Sequence, residues 1–136
     1  MLVKGLRDEG PGLTPAATAD DLPAVIERFR ANGMEVALDA PEHLSMPTVT
    51  AQALNRIVAE ALTNAVKHQE NPAARVTVEQ GTEAVVVTVA STGRMAPQPG
   101  AGTGIVGMRE RARATGGSLE VTQENNTVTV TATLGA

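Results

Sequence analysis

Apolar residues recur along this chain with two distinct periods. Leu22, Val25, Ile26 and Phe29 follow the i, i+3, i+4, i+7 spacing of one helical face. Asp20 or Asp21 stands where a cap belongs, and Pro23 falls in the first turn, where its missing N–H costs nothing. Asn32-Gly33 ends that helix. Val36 and Leu38 then alternate with Glu35, Ala37 and Asp39, which predicts a short strand. Pro41 to Pro47 reads as a loop. A long helix is predicted from about Val49 to His68, with Leu54, Ile57, Val58, Ala61, Leu62 and Ala65 as its apolar stripe and Asn71-Pro72 as its stop. Period two returns in Ala74–Glu79 and Ala84–Val89, joined through a hairpin turn at Gln80-Gly81-Thr82. Ser91 to Thr103, with Gly93, Gly100, Gly102, Pro97 and Pro99, reads as a long loop. A third helix is expected from about Gly104, capped by Thr103, with Ile105, Met108 and Ala112 inward and Gly116-Gly117 as its end. Ser118–Thr122 and Thr127–Thr133 complete the pattern as strands paired across Glu124-Asn125-Asn126.

The order α-β-α-β-β-loop-α-β-β predicts an α+β fold. It is a two-layer α/β sandwich, with a mixed five-stranded sheet and three helices on one face. A chain of 136 residues fits one such domain, assigned here to 20–136. Met1 to Arg7 has a helical pattern in Leu2, Val3 and Leu6 that is too short to stand alone. It reads as the end of an upstream helix, with Asp8 to Ala19 as linker.

Composition narrows the chemistry. There is no cysteine, so disulfides and thiolate metal sites are excluded. His43 and His68 match no zinc spacing. A net charge of −4, one Phe and no Trp or Tyr argue against nucleic-acid binding, which needs basic surface or stacking platforms. No apolar run approaches the ~20 residues that span a bilayer, and the charged, glycine-broken start does not look like a signal peptide. A cytoplasmic domain without direct membrane contact is expected.

The informative stretch is Glu60-Ala61-Leu62-Thr63-Asn64-Ala65-Val66-Lys67-His68. At about 100° per residue, Glu60, Asn64, Lys67 and His68 share a polar stripe bordering the apolar face. Groups placed there line a cleft between the helix and its neighbour. Asn64 offers a carbonyl oxygen suited to magnesium, Glu60 a base, and Lys67 positive charge for phosphates. On spacing alone, an ordinary solvated helix face is the favoured reading. The run Gly100-Ala101-Gly102-Thr103-Gly104-Ile105-Val106-Gly107 adds weight to the first reading. Glycines let backbone approach a ligand closely, and a helix N-terminus favours anions. It is neither a Walker loop nor a good dinucleotide fingerprint.

Arg56-Ile57-Val58-Ala59-Glu60-Ala61-Leu62-Thr63-Asn64-Ala65-Val66-Lys67-His68 is very similar to the N box of bacterial sensor histidine kinases. Gly102-Thr103-Gly104-Ile105-Val106-Gly107-Met108-Arg109-Glu110-Arg111-Ala112 resembles their second glycine box, in the form typical of the nitrate/nitrite-sensor and DesK-type subfamily. The resemblance runs from about Leu2 to Leu134. It implies the ATP-binding catalytic domain and its Bergerat fold. It also implies that Asn64 holds Mg2+, Glu60 assists the chemistry, Lys67 and His68 sit near the phosphates, and Gly102, Thr103 and Gly104 cradle them. Residues from Arg94 to Ala101 would form a lid. The reaction implied moves the ATP γ-phosphoryl to a histidine on a separate dimerisation domain, from which it passes to an aspartate on a response regulator.

Two departures stand out. The family's first glycine box reads Asp-x-Gly-x-Gly, and its aspartate recognises the adenine amino group. The matching stretch here is Ser91-Thr92-Gly93-Arg94-Met95, so Ser91 and Gly93 are the base-site candidates, Ser91 replaces the carboxylate and Met95 replaces the second glycine. Losing a charged hydrogen bond typically costs about 1.5–3 kcal/mol. The alternative function is therefore a degenerate member of the fold with weak or no ATP binding, acting as a protein-interaction module. Second, no phosphoacceptor is present. His43 lies in the Pro41-Glu42-His43-Leu44 loop and reads as a surface residue, and His68 belongs to the N box. The expected partners are the histidine-bearing domain of the same kinase, which would anchor dimerisation and leave this fragment monomeric, and a response regulator. The stub at Met1–Arg7 matches the end of that dimerisation helix. An anti-sigma-factor serine kinase uses the same fold on a protein serine, but the Gly-Met-Arg-Glu-Arg segment and the stub of a preceding helix speak against it.

Overall fold

The structure is a computed structural model that describes residues 21–68, 71–93 and 101–135, without the side chains of 68 and 101–104. The readings for 1–19, for Asp20 and for all of the Arg94–Ala101 lid but its last residue lie outside these residues; Ala101 belongs to a helix instead of a lid. The described elements are α1 (Leu22–Ala31), β1 (Glu35–Asp39), α2 (Thr48–His68), β2 (Ala73–Gln80), β3 (Ala84–Thr92), α3 (Ala101–Ala114), β4 (Ser118–Glu124) and β5 (Thr127–Gly135). The strands form one mixed sheet in the order β1-β2-β3-β5-β4. β1 runs parallel to β2, as a crossover through α2 requires, and every other pair is antiparallel. The expected α+β sandwich is what forms.

Alternation along the strands builds the core. Val76, Val78, Val85, Val87, Val89, Val130, Ala132, Leu134 and Leu119 are buried and share the helix-facing side. The other side carries Thr77, Thr88, Thr129, Thr131 and Thr133, which are half-buried. β-branched hydroxyl side chains suit a pleated surface left to water. Against the apolar side pack Leu22 and Ile26 of α1, Leu54, Ile57, Val58, Ala61, Leu62 and Ala65 of α2, and Met108 and Ala112 of α3. With almost no aromatic residue to spend, the core depends on close packing of aliphatic groups. Leu62 is fully buried. Leu62→Ala is expected to cost about 2–5 kcal/mol, read as a fall in the urea midpoint, because the neighbours can collapse only partly into the gap.

Two helices end in the same way. Gly33, at φ 94°, closes α1 through Gly33 N–H to Arg30 O (3.0 Å) and Met34 N–H to Phe29 O (3.1 Å). Gly116, at φ 86°, closes α3 through Gly116 N–H to Arg113 O (2.8 Å) and Gly117 N–H to Ala112 O (3.0 Å). Both are Schellman closures, and each turns the chain directly into a strand. The β4–β5 hairpin is tighter than expected. Glu124 pairs with Thr127, leaving a two-residue turn of Asn125 and Asn126 at φ 52° and 61°. Asparagine tolerates the double positive φ that such a turn demands.

Three local expectations fail. Asp21 makes no side-chain cap bond, because it already has helical dihedrals (φ −74°, ψ −13°) rather than the extended ones a capping residue needs. β3 continues through Ser91 and Thr92, pairing with Val128 and Thr127. α3 begins at Ala101, so Thr103 lies inside the helix rather than capping it. Low glycine propensity did not stop that first turn, a bias tertiary context can override.

Candidate functional site

Topology gathers the candidate residues at one end of the sandwich. α2 ends at His68, and Asn71 and Pro72 lead straight into β2. Ala74, near the start of β2, pairs with Ser91 near the end of β3. The end of β3 is thus the end of the sheet nearest the α2 C-terminus. The chain leaves β3 at Gly93 and re-enters described structure at Ala101, the first residue of α3.

The direction of α3 follows from contacts at the other end. Thr50, in the first turn of α2, donates its hydroxyl to the Gly135 carbonyl. Thr115, just past α3, accepts from Gly135 N–H at 3.0 Å and donates to Ala112 O at 2.7 Å. A groove of about 280 Å³ is lined by Val49, Gln52, Ala53 and Arg56 of α2 and by Arg111 and Ala114 of α3. The start of α2 therefore meets the end of α3. The helices run in opposite directions, and the N-terminal turn of α3 lies toward the second half of α2.

On that second half, Glu60 and Asn64 are one turn apart and both half-buried. They border the buried stripe of Ala61, Leu62 and Ala65. Thr63 between them turns its hydroxyl back to the Ala59 carbonyl at 2.7 Å, satisfying itself within the helix. Lys67 is exposed. His68 closes the helix, and its side chain lies outside the described residues. Gly102, Thr103 and Gly104 belong to the first turn of α3, where backbone N–H groups lack helical acceptors.

Ser91 is 8% exposed and continues the inward-facing series Val85, Val87, Val89. Its backbone was expected to start a loop; strand pairing on both sides instead fixes it facing the helices. Gly93 is buried at φ 116° and donates its N–H to Asn126 O at 2.7 Å. That bond ties the strand exit to the β4–β5 turn. Asn55, which no motif marks, is buried on α2 at 6% exposure. An amide interrupting the Leu54, Ile57, Val58 stripe was the available signal.

No group of three or more His, Cys, Asp or Glu able to hold a metal occurs among the described residues. That donor set fits magnesium only in the manner it commonly adopts, arriving with phosphates and waters and needing one or two protein oxygens.

The fold and motifs agree with comparison to known proteins. Residues 49–136 match the family of histidine kinase-, DNA gyrase B- and HSP90-like ATPases, and the chain belongs to that family. Within it, the chain is similar to DesK-like sensor histidine kinases. It is 36% identical over 90 residues to the sensor histidine kinase DesK of Bacillus subtilis, covering 64% of this chain and 24% of that protein. It is 32% identical over 90 residues to YxjM of the same organism, covering 65% of this chain and 22% of that one. The chain thus spans about a quarter of the length of these relatives. Its fold is shared with the blue-light activated histidine kinase of Erythrobacter litoralis EL346, at a TM-score of 0.71, 19% identity and coverage of 87% of this chain and 41% of that one. The mycobacterial sensor histidine kinase MprB gives a TM-score of 0.66 at 18% identity, covering 85% and 92%. Among the described residues, no helix is long and apolar enough to cross a membrane.

Proposed function

We propose that this chain is the catalytic domain of a sensor histidine kinase. It would bind Mg-ATP and deliver the γ-phosphoryl to a histidine on a separate dimerisation domain, for onward transfer to a response regulator. The observation that supports this reading most is the antiparallel course of α2 and α3, which brings the first turn of α3 toward the second half of α2, where Glu60 and Asn64 are half-buried. Three supports for a magnesium triphosphate then converge: a neutral oxygen ligand in Asn64, backbone donors at a helix N-terminus, and the positive charge of Lys67.

ATP supplies the phosphoryl group; the protein's part in such a transfer is positioning and charge neutralisation. Asn64 orients the ion through its side-chain carbonyl. Gly102, Thr103 and Gly104 hold phosphate oxygens, Lys67 and His68 draw phosphate charge from the end of α2, and Glu60 accepts the proton of the attacking group or orients it. Ser91 and Gly93 border the base. The attacking histidine is assigned to a separate domain because His43 lies in the loop between β1 and α2, not on a long amphipathic helix. A cytoplasmic setting, possible in a membrane-anchored parent protein, suits these partners.

Ser91 favours one competing reading, a member of the fold that has lost nucleotide and serves as an interaction module. Calorimetric titration with Mg-ATP separates the two. Saturable heat with a Kd in the micromolar to millimolar range is the expected result, and no heat at several millimolar nucleotide selects the interaction module.

A further inference from the structure

We propose that the base site of this chain accepts 6-oxo purines as readily as 6-amino purines, with Ser91 as the residue that sets this tolerance. The inference rests on the nucleotide-binding reading above. Ser91 is more than nine-tenths buried and points with Val85, Val87 and Val89 into the space between sheet and helices. Its ladder partners are Ala74 and Val128, neither of which offers a side-chain hydrogen bond. Among the described residues, no hydrogen bond is made to its hydroxyl. A serine only 8% exposed and turned toward the helices can offer its hydroxyl to a group that enters between the layers.

The chemistry of the group fixes what it can tell apart. An ionised carboxylate only accepts hydrogen bonds, so it welcomes the 6-amino group of adenine and opposes the 6-carbonyl of hypoxanthine. A serine hydroxyl carries one donor and two acceptor lone pairs and rotates to suit its partner. It accepts from an amino group or donates to a carbonyl. Strong discrimination arises when a site leaves a buried polar group unpaired or opposed, and here neither base does so. The shorter, neutral group also gives up the extra strength of a charged hydrogen bond, so tolerance comes with weaker binding overall.

ATP and ITP differ at C6, amino against oxo, and in the proton that the oxo form carries on N1, and they serve as probes; comparison with Ser91→Ala isolates the part that depends on Ser91. Calorimetry of the full chain with Mg-ATP and Mg-ITP is expected to give Kd values within about fivefold of each other. Ser91→Asp is expected to tighten ATP and to prefer it over ITP by about tenfold or more. Ser91→Ala fits between Ala74 and Val128 without disturbing the fold, and is expected to weaken both nucleotides by a similar factor, leaving their ratio unchanged. Wild-type protein that binds ATP but disfavours ITP more than tenfold overturns the inference while the nucleotide reading stands. So does Ser91→Ala binding both nucleotides as well as wild type, since Ser91 then touches neither base. ATP binding by Ser91→Asp where wild type binds neither nucleotide also overturns it. Failure of folded wild-type and Ser91→Asp protein to bind either nucleotide ends the nucleotide reading itself.

Discussion

Alanine at Gly117 is expected to unfold this domain or leave it barely stable. A Cβ there would lie 1.7 Å from the Thr133 carbonyl oxygen, 2.7 Å from its carbon and 3.0 Å from Leu134 Cα. These are backbone atoms of β5, which is paired on both sides: Thr133 faces Ser118 in β4 and Val86 in β3. The obstacle cannot retreat without breaking a ladder. The Gly117 N–H also closes α3 on Ala112 O, so the glycine cannot swing away either. The expected loss exceeds about 4 kcal/mol, the range reserved for severe packing faults, out of a total stability of about 5–15 kcal/mol. Thermal denaturation should show a drop of more than about 10 °C or no cooperative transition. Gly116→Ala makes the useful contrast. Nothing lies within 4 Å of its added Cβ, and only the φ of 86° opposes it, at a cost of about 1–2 kcal/mol. Equal effects at the two positions would show that this close approach does not exist in solution.

Asn64→Ala is expected to remove the magnesium-dependent part of nucleotide binding, a loss on the order of a hundredfold in affinity for Mg-ATP. Asn64 is half-buried on the edge of α2, and alanine is the better helix former, so the variant should melt within a few degrees of wild type. The decisive comparison is made with and without the ion. In excess EDTA, ATP should bind wild type and variant alike, because only the ion's protein ligand has changed. Undiminished Mg-ATP affinity in Asn64→Ala would remove Asn64 from the site.

Much of the fold was legible because its elements are locally consistent. The i, i+3, i+4 stripe of α2 and the period-two runs of valine and threonine report their burial directly, and the glycines at 33 and 116 mark helix ends for a stereochemical reason. What escaped was long-range. Which glycine of Gly116-Gly117 is needed for conformation and which for space depends on Thr133, far along the chain. The antiparallel course of α2 and α3 rests on Thr50 and Thr115 meeting Gly135, a contact across 85 residues in the first case. α3 starts earlier than its sequence suggests, because a glycine-rich run reads as loop although here it supplies a helical first turn.

The candidate site divides the same way. The polar stripe of Glu60 and Asn64 was visible in the spacing, but spacing alone fits a solvated face equally well. Which element that stripe faces is decided by how the layers pack. Ser91 was visible as an odd residue in a motif, whereas its burial comes from strand pairing that carries β3 two residues farther than its alternation suggested.

The most direct measurement is a crystal structure of this chain grown with magnesium and a non-hydrolysable ATP analogue. The triphosphate is expected between the second half of α2 and the Gly102–Gly104 turn, with the ion on the Asn64 side-chain oxygen and the base beside Ser91. A nucleotide bound elsewhere, or an empty cleft at saturating analogue, would contradict it.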